Sequence, residues 1–436
     1  MGKPIVGYAG MTHLGIISAV AAAERGFVTV AYDSNDSLIT QLNQHILPVT
    51  EPQLPELFAK QLASKQLTMT TDVTQLTHCD IVYIAPDVAT DEKGRSDLSV
   101  IHTLLETVIP QLSAQALLVI LSQVPPTFTR KLQTQLAPAY LYYQVETLIF
   151  GRAMERALHP ERFIIGCADQ TIEIDARLQI FLDAFACPIL PMRYESAELA
   201  KISINCCLVA SIQVANLLSD ICEKINADWY EIAPALKLDK RIGKEAYLAP
   251  GLGIAGGNLE RDLATVLSLS HAHGTESNIV QSWLHHSQYK KNWVLRMLHQ
   301  KVFPLYAHPT FAILGLAYKE NTHSTKNSPA LALIPHLTAY PVQLYDPVVN
   351  ATPIISWAHN KTSMEQAVMQ ADVLIIMTPW PEFRTLTPQQ LKKTMRGKTI
   401  IDPYRVLKSA VFEKEGFHYL TLGRKESHVE TLANRK

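Results

Sequence analysis

The first residues in this chain that could do chemistry are the turn Gly10-Met-Thr-His-Leu-Gly15 and the acid beyond it, Asp33. Glycines at the ends of such a turn allow a tight bend and close helix packing, and the N–H groups at the helix start then face an anion. This is chemistry for the pyrophosphate of a dinucleotide. The middle position, where glycine normally lets the backbone approach the phosphates, is Thr12. Its Cβ crowds that place, while its hydroxyl offers a hydrogen bond to a displaced phosphate. Asp33 ends the strand Phe27-Val-Thr-Val-Ala-Tyr-Asp33, where a carboxylate accepts ribose hydroxyls and repels a 2′-phosphate. Gly10, Thr12, Gly15 and Asp33 thus read either as an NAD site or as a strand-helix-strand unit without cofactor. The cysteines Cys79, Cys167, Cys187, Cys206, Cys207 and Cys222 show no CxxC pairs or finger-like histidine spacing, so no metal site and no disulfide framework is expected.

These residues need a scaffold, and 436 residues with 47% apolar and 18% charged side chains suffice for two or three domains with real cores. A net charge of −1 supplies no global attraction for nucleic acid or an anionic membrane, so a small ligand is the expected partner. Neither a secretory leader nor an apolar run of ~18 residues is read, so a cytoplasmic location is expected. Strands are expected at Pro4–Ala9, Phe27–Asp33, Cys79–Ala85, Ala116–Leu121 and Arg162–Gly166, all parallel and separated by helix-length segments. From Ser196 to Asn226 there is no Gly or Pro, and Leu199, Ile202, Leu208, Ile212, Ala215, Leu218 and Cys222 recur at helical spacing. A second α/β pattern begins at Pro309–Ala317 and continues through Val342–Asp346, Asp372–Met377 and Lys398–Asp402. The expected fold is α/β, with two Rossmann-like doubly wound domains (1–190 and 301–436) joined by a central helical spine (191–300) that also serves as an oligomer interface. The last dozen residues are polar and expected to be loosely ordered.

Seven motifs occur in order: Thr90–Ser99; Ser122-Gln-Val-Pro125; Val145-Glu-Thr-Leu-Ile-Phe-Gly-Arg-Ala153; Ser196-Ala-Glu-Leu-Ala-Lys-Ile-Ser-Ile-Asn205; Asp239-Lys-Arg-Ile-Gly243; Gly251-Leu-Gly-Ile-Ala-Gly-Gly-Asn-Leu-Glu-Arg-Asp262; and Gly315-Leu-Ala-Tyr-Lys319 with Ser328-Pro329. Through them the chain resembles the UDP-glucose/GDP-mannose dehydrogenase family over nearly its whole length. The resemblance implies an NAD domain that includes Ser122, a helical dimerisation spine and a C-terminal nucleotide-sugar domain, with a UDP-sugar favoured. It makes Lys201 and Asn205 the pair that acts on the sugar C6 oxygen, lysine stabilising an alkoxide and the amide holding the oxygen or a water. Asp262 completes their hydrogen-bonded network, or alternatively caps a helix starting at Leu263. Glu146 corresponds to a glutamate that does acid/base work when the thioester is hydrolysed, Thr147 and Leu148 to a substrate-contacting segment, and Arg241 to an arginine that reaches across the dimer, against the local alternative of a salt bridge. Tyr247, Leu248 and Gly253 correspond to the loop around the nucleotide, and Lys319 to a substrate-side lysine.

The departures from the family pattern cluster. Asn258 stands where the family has a nucleophilic cysteine, Gln123 where it has a threonine, and Phe150 where it has a second glutamate. These groups serve aldehyde capture and thioester hydrolysis, whereas Lys201, Asn205 and Asp262 serve the first oxidation. Successive helix positions turn by about 100°, so Cys206 and Cys207 leave the Lys201 and Asn205 face and do not replace the nucleophile. Lys326, assigned by the resemblance to cofactor binding, replaces a phosphate-clamping arginine, after His323 and Ser324 in place of two acids, and loses its planar fork. Three functions fit: an NAD-dependent nucleotide-sugar oxidoreductase limited to one hydride transfer, an epimerase that retains its cofactor, and a non-catalytic relative that binds nucleotide sugar.

Overall fold

The computed structural model describes residues 2–91, 94–136, 140–169, 171 and 173–426. The polar C-terminal stretch expected to be loosely ordered lies largely outside these residues. The chain divides into two compact units, Met1–Ile204 and Asn205–Lys436, a division that falls within one long helix, Tyr194–Ile225.

The first unit is built on eight strands: β1 (Val6–Ala9), β2 (Thr29–Tyr32), β3 (Leu67–Thr70), β4 (Ile81–Ile84), β5 (Leu117–Ile120), β6 (Leu141–Gln144), β7 (Phe163–Cys167) and β8 (Ile189–Arg193). They lie in the order β3-β2-β1-β4-β5-β6-β7-β8. Every residue of β1, β4 and β5 is buried, which explains their unbroken apolar runs: strands covered on both faces have no polar side to alternate with. Val6 pairs with Thr29 on one side and Ile81 on the other, so the carboxyl end of β1 opens where the strand order reverses. That switch point is the usual place for a ligand in an open α/β sheet.

One expectation fails here. β6 and β7 pair antiparallel, Tyr143 with Gly166, although the remaining pairs of this sheet are parallel. β3, β6 and β8 are absent from the sequence reading, and β8 is largely solvent-facing, so it offers no buried apolar run to recognise.

The second unit holds β9 (Phe311–Leu314), β10 (Val342–Tyr345), β11 (His359–Asn360), β12 (Val373–Ile376), β13 (Thr399–Ile401) and β14 (His418–Leu420), all parallel, in the order β11-β10-β9-β12-β13-β14. Leu252, Trp293, Val294, Leu298 and Val302, from the segment before β9, are buried in the same core as these strands. Other residues of the helical region form two further clusters, Val209, Ile254, Leu263 and Val280 in one and Ala215, Cys222, Trp229 and Leu248 in the other.

The long helix begins and ends within two residues of the expected span. Ile202, Ala215 and Cys222 of its apolar stripe are buried, but Leu199 and Leu218 are exposed. Contrary to the sequence reading, this helix is long and apolar enough to cross a membrane. Its acids nevertheless bond to folded protein. In the first unit Glu198 accepts hydrogen bonds from Thr127 N and Thr129 N at 2.6 and 2.8 Å, and in the second Asp220 pairs with Lys290 at 2.7 Å.

Candidate functional site

The turn after β1 is sterically committed. Gly10 has φ +97°, and a Cβ there would lie 2.9 Å from Pro86 N; a Cβ on Gly15 would lie 1.9 Å from Gly10 O. Both end glycines are thus required for the first helix, His13–Glu24, to start where it does. Thr12 is that helix's N-cap, yet its side chain does not cap it. Its Oγ1 instead accepts a hydrogen bond from Asp87 N at 2.8 Å.

Asp33 accepts from Met11 N at 2.7 Å through one oxygen and from Asn35 N at 2.9 Å through the other. A carboxylate has about four acceptor positions, so capacity remains for ribose hydroxyls. Asp346, the counterpart at the end of β10, differs. Leu316 N, Ala317 N, Val348 N, Val349 N and Trp380 Nε1 all donate to it, at 2.7 to 3.2 Å. It is saturated and structural. The first turn therefore fits a dinucleotide ribose, and the second does not offer the same acceptor. Ser122, expected near the cofactor, is fully buried and donates to Pro86 O at 2.5 Å, which supports the segment under Gly10.

The Glu146 segment follows β6, the strand missed in sequence. Glu146 Oε2 lies 3.3 Å from Lys201 Nζ, both side chains largely buried. Its other oxygen accepts from Leu148 N, and Thr147 O accepts from Arg156 Nε at 2.7 Å. This loop is tied to the dinucleotide turn through Glu51, which the sequence reading overlooked. Buried Glu51 accepts from Gly151 N at 2.9 Å and Ala153 N at 3.1 Å, and its Oε1 lies 2.9 Å from His13 Nε2. Phe150, one of the departures, stacks on the His13 ring at 4.4 Å between centroids. A single acid before Pro52 carries no periodic or motif signal of its own; its role appears only when the His13 and Ala153 segments meet.

In the second unit, Asn258 is the first residue of the helix Asn258–His273 and is exposed. The N–H groups of a helix start lower the pKa of a thiol placed there, which accounts physically for a nucleophile at this position; an amide gains nothing comparable. Asp262 lies inside this helix rather than capping one that begins at Leu263, because the helix already starts at Asn258. Nearly fully buried, it accepts from Asn205 Nδ2 at 2.5 Å and faces Arg261 Nε at 3.4 Å. Burial pushes the Cys206 thiol up to about 11, with nearby Asp262 adding to the effect, so it is a neutral thiol near pH 7.

The glycine loop before Asn258 is braced on several sides. A Cβ on Gly253 would lie 2.4 Å from Ser287 O, and one on Gly256 would lie 2.9 Å from the Tyr318 ring. Gly256 N donates to Lys326 O at 3.0 Å, and Asn327 Nδ2 donates to Gly256 O at 2.8 Å. Lys326 is exposed, with its side chain beside Gly257. Lys319 is half-buried, its Nζ 5.8 Å from the Tyr318 ring centre. Tyr247 is exposed, whereas Leu248 is buried and its carbonyl accepts from Trp229 Nε1 at 2.7 Å. Arg241 is exposed and pairs through two nitrogens with Asp239, at 3.0 and 2.6 Å. Among the described residues no group of three or more His, Cys, Asp or Glu side chains is placed to hold a metal ion.

Residues 5–182 match the NAD binding domain of the UDP-glucose/GDP-mannose dehydrogenase family, residues 195–288 its central domain and residues 312–409 its UDP binding domain. The UDP-glucose 6-dehydrogenase TuaD of Bacillus subtilis is 27% identical over 428 residues, covering 95% of this chain and 92% of its own. The structure of a UDP-glucose dehydrogenase from Pyrobaculum islandicum superimposes with a TM-score of 0.83 at 25% identity, over 93% of this chain and 96% of that one. The UDP-D-ManNAc dehydrogenase structure from Pyrococcus horikoshii shares the fold, with a TM-score of 0.84 at 24% identity over 96% of this chain and 99% of that one.

Proposed function

Since this chain belongs to the UDP-glucose/GDP-mannose dehydrogenase family, we propose that it oxidises a nucleotide-sugar alcohol, a UDP-sugar in preference, by a single hydride transfer and stops at the aldehyde. The match to an NAD binding domain and the spare acceptor capacity of Asp33 support NAD as the cofactor, and the match to a UDP binding domain supports a nucleotide sugar as the substrate.

NAD, when bound, supplies the hydride acceptor. The chain's own residues do the rest. Lys201 stabilises the alkoxide that develops on the C6 oxygen, and Glu146, 3.3 Å from it, takes the hydroxyl proton. By correspondence with the family, the Asn205 amide nitrogen gives one proton to Asp262 and keeps its other as a donor to that oxygen. The carbon loses two electrons and its hydrogen as hydride, leaving an aldehyde. The observation that carries the limit to one step is Asn258 at its helix start. Its amide cannot add to the aldehyde as a thiolate does, and the half-buried Cys206 nearby in sequence is held protonated.

By correspondence with the family, Arg241, Tyr247, Leu248, Gly253 and Lys319 are assigned to the substrate and Lys326 to the cofactor. Val214, Leu217, Leu218, Ile221 and Ile225 form an exposed apolar face on the long helix, and we assign that face to a homodimer. In such a dimer Arg241, which pairs with Asp239 in the protomer, exchanges that partner for a phosphate.

The test is stoichiometry. Purified protein incubated with NAD and a panel of UDP- and GDP-sugars should form one NADH per sugar converted, together with an aldehyde trapped by hydroxylamine. Two NADH and a uronic acid would show that Asn258 does not limit the reaction. Bound NAD with no net NADH but an altered sugar would assign the protein to epimerisation instead.

A further inference from the structure

Asp87 lies at the start of the first helix, beside the turn that fits a dinucleotide. Pro86 is held from above by Gly10, whose Cβ position is 2.9 Å from it, and from below by Ser122 Oγ at 2.5 Å. The backbone of the next residue is thereby pinned, and Asp87 N donates to Thr12 Oγ1 at 2.8 Å. Its carboxylate then reaches the start of the first helix, where Oδ2 accepts from Leu14 N at 3.3 Å. The helix's own N-cap residue leaves this role vacant, since Thr12 is engaged with Asp87 instead of capping. Two residues thus lock each other: Thr12 holds the Asp87 backbone, and Asp87 supplies the cap that Thr12 does not.

We propose that Asp87 is a built-in competitor for the cofactor's pyrophosphate, and that the Thr12–Asp87 pair sets the affinity for dinucleotide. The inference rests on the NAD reading of the first unit. A helix N-terminus favours one anion at close range, and here a carboxylate of the same chain already uses it. A pyrophosphate brings two further negative charges to that spot, so it either displaces Asp87 or sits beside it against repulsion. Displacement is open because Asp87 is exposed and a rotation of its side chain returns the carboxylate to water. The Thr12 Cβ is the smaller obstacle; charge is the larger.

The experiment compares wild-type protein with Asp87→Asn and Thr12→Gly, using NADH, ADP-ribose and adenosine as probes in titration calorimetry, alongside the melting temperature of each ligand-free protein. Asn keeps the size and the acceptor for Leu14 N but removes the charge. Its Kd for NADH and ADP-ribose should fall by about tenfold or more, with adenosine unchanged, because only the phosphates meet the carboxylate. Thr12→Gly should tighten the same two ligands by releasing Asp87. If Asp87 is only a helix cap, Asp87→Asn lowers the melting temperature and leaves every Kd as it was, which overturns the proposal while the NAD reading stands. Weaker NADH binding by Asp87→Asn overturns it as well. If neither the wild type nor either variant binds NADH, the proposal and the NAD reading fall together.

Discussion

Lys201 Nζ lies 3.3 Å from Glu146 Oε2, and the two side chains come from the long helix and from the loop after β6, elements well separated in the chain. Both are largely buried, so the pair is mutually dependent. Removing either partner leaves a poorly solvated charge.

Lys201→Met should therefore lower kcat by about 100-fold or more through lost alkoxide stabilisation, with NADH affinity little changed. Glu146→Gln keeps the shape and should lower kcat by removing the proton acceptor. Steady-state kinetics with NADH detection decide this. Equal activity of Lys201→Met and wild type would remove Lys201 from the mechanism.

Asn258→Cys alone should not restore uronate synthesis. The new thiol would gain from the helix start, yet Phe150 is stacked on His13 and offers no second carboxylate for hydrolysis. The expected product is a trapped thiohemiacetal or thioester, visible as a sugar-nucleotide mass adduct on the peptide that carries the introduced thiol, with no more than slow uronate release. Full uronate formation from this one change would show that the hydrolytic partners are present elsewhere.

Cys206 should resist alkylation near neutral pH, because burial pushes its thiol up to about 11. Cys207 is exposed and should react first with iodoacetamide, as read by peptide mapping at about pH 7.5. Cys206→Ser should leave NADH formation unaltered. A loss of turnover that tracks labelling of Cys206 would make it a nucleophile after all.

Glu426 carries a pH signature in the second unit. His418 and Lys301 hold its carboxyl down at about 2, the bond to His418 being the larger cause. A depressed carboxylate binds fewer protons when folded, so its stabilisation is complete above about pH 4.5 and is lost as the pH falls towards about 2. Glu426→Gln should flatten the fall of melting temperature across that window and lower the melting temperature at neutral pH. An unchanged slope in differential scanning calorimetry would discount the cluster.

The two sheets, the switch-point turn and the long helix were legible in the residues because they depend on local rules: buried apolar runs, paired glycines and helical spacing. Several strands escaped that reading. β8 faces solvent over most of its length, and β6, Leu-Tyr-Tyr-Gln, is aromatic rather than aliphatic, so the strand that delivers Glu146 left no clear run and its antiparallel pairing with β7 no trace. The alternative role of Asp262 as a helix cap assumed a helix start at Leu263 instead of Asn258, since helix beginnings depend on which backbone N–H groups find partners, and Gly257 leaves no side-chain cap to read.

Sequence alone determined which chemistry remains: Asn258 has no thiol and Lys201 has an ammonium, whatever surrounds them. Only the tertiary structure decided what those groups and their neighbours touch. Asp33 and Asp346 both end second strands of their sheets, yet one keeps open acceptor positions and the other is consumed by five donors. Glu51, Asp87 and Glu198 are ordinary acids in the sequence and become a brace, a cap and a buried anchor when distant N–H groups converge on them. The physical reason is the same in each case. A carboxylate's role is set by the donors that reach it, and those donors arrive from segments that only folding brings together.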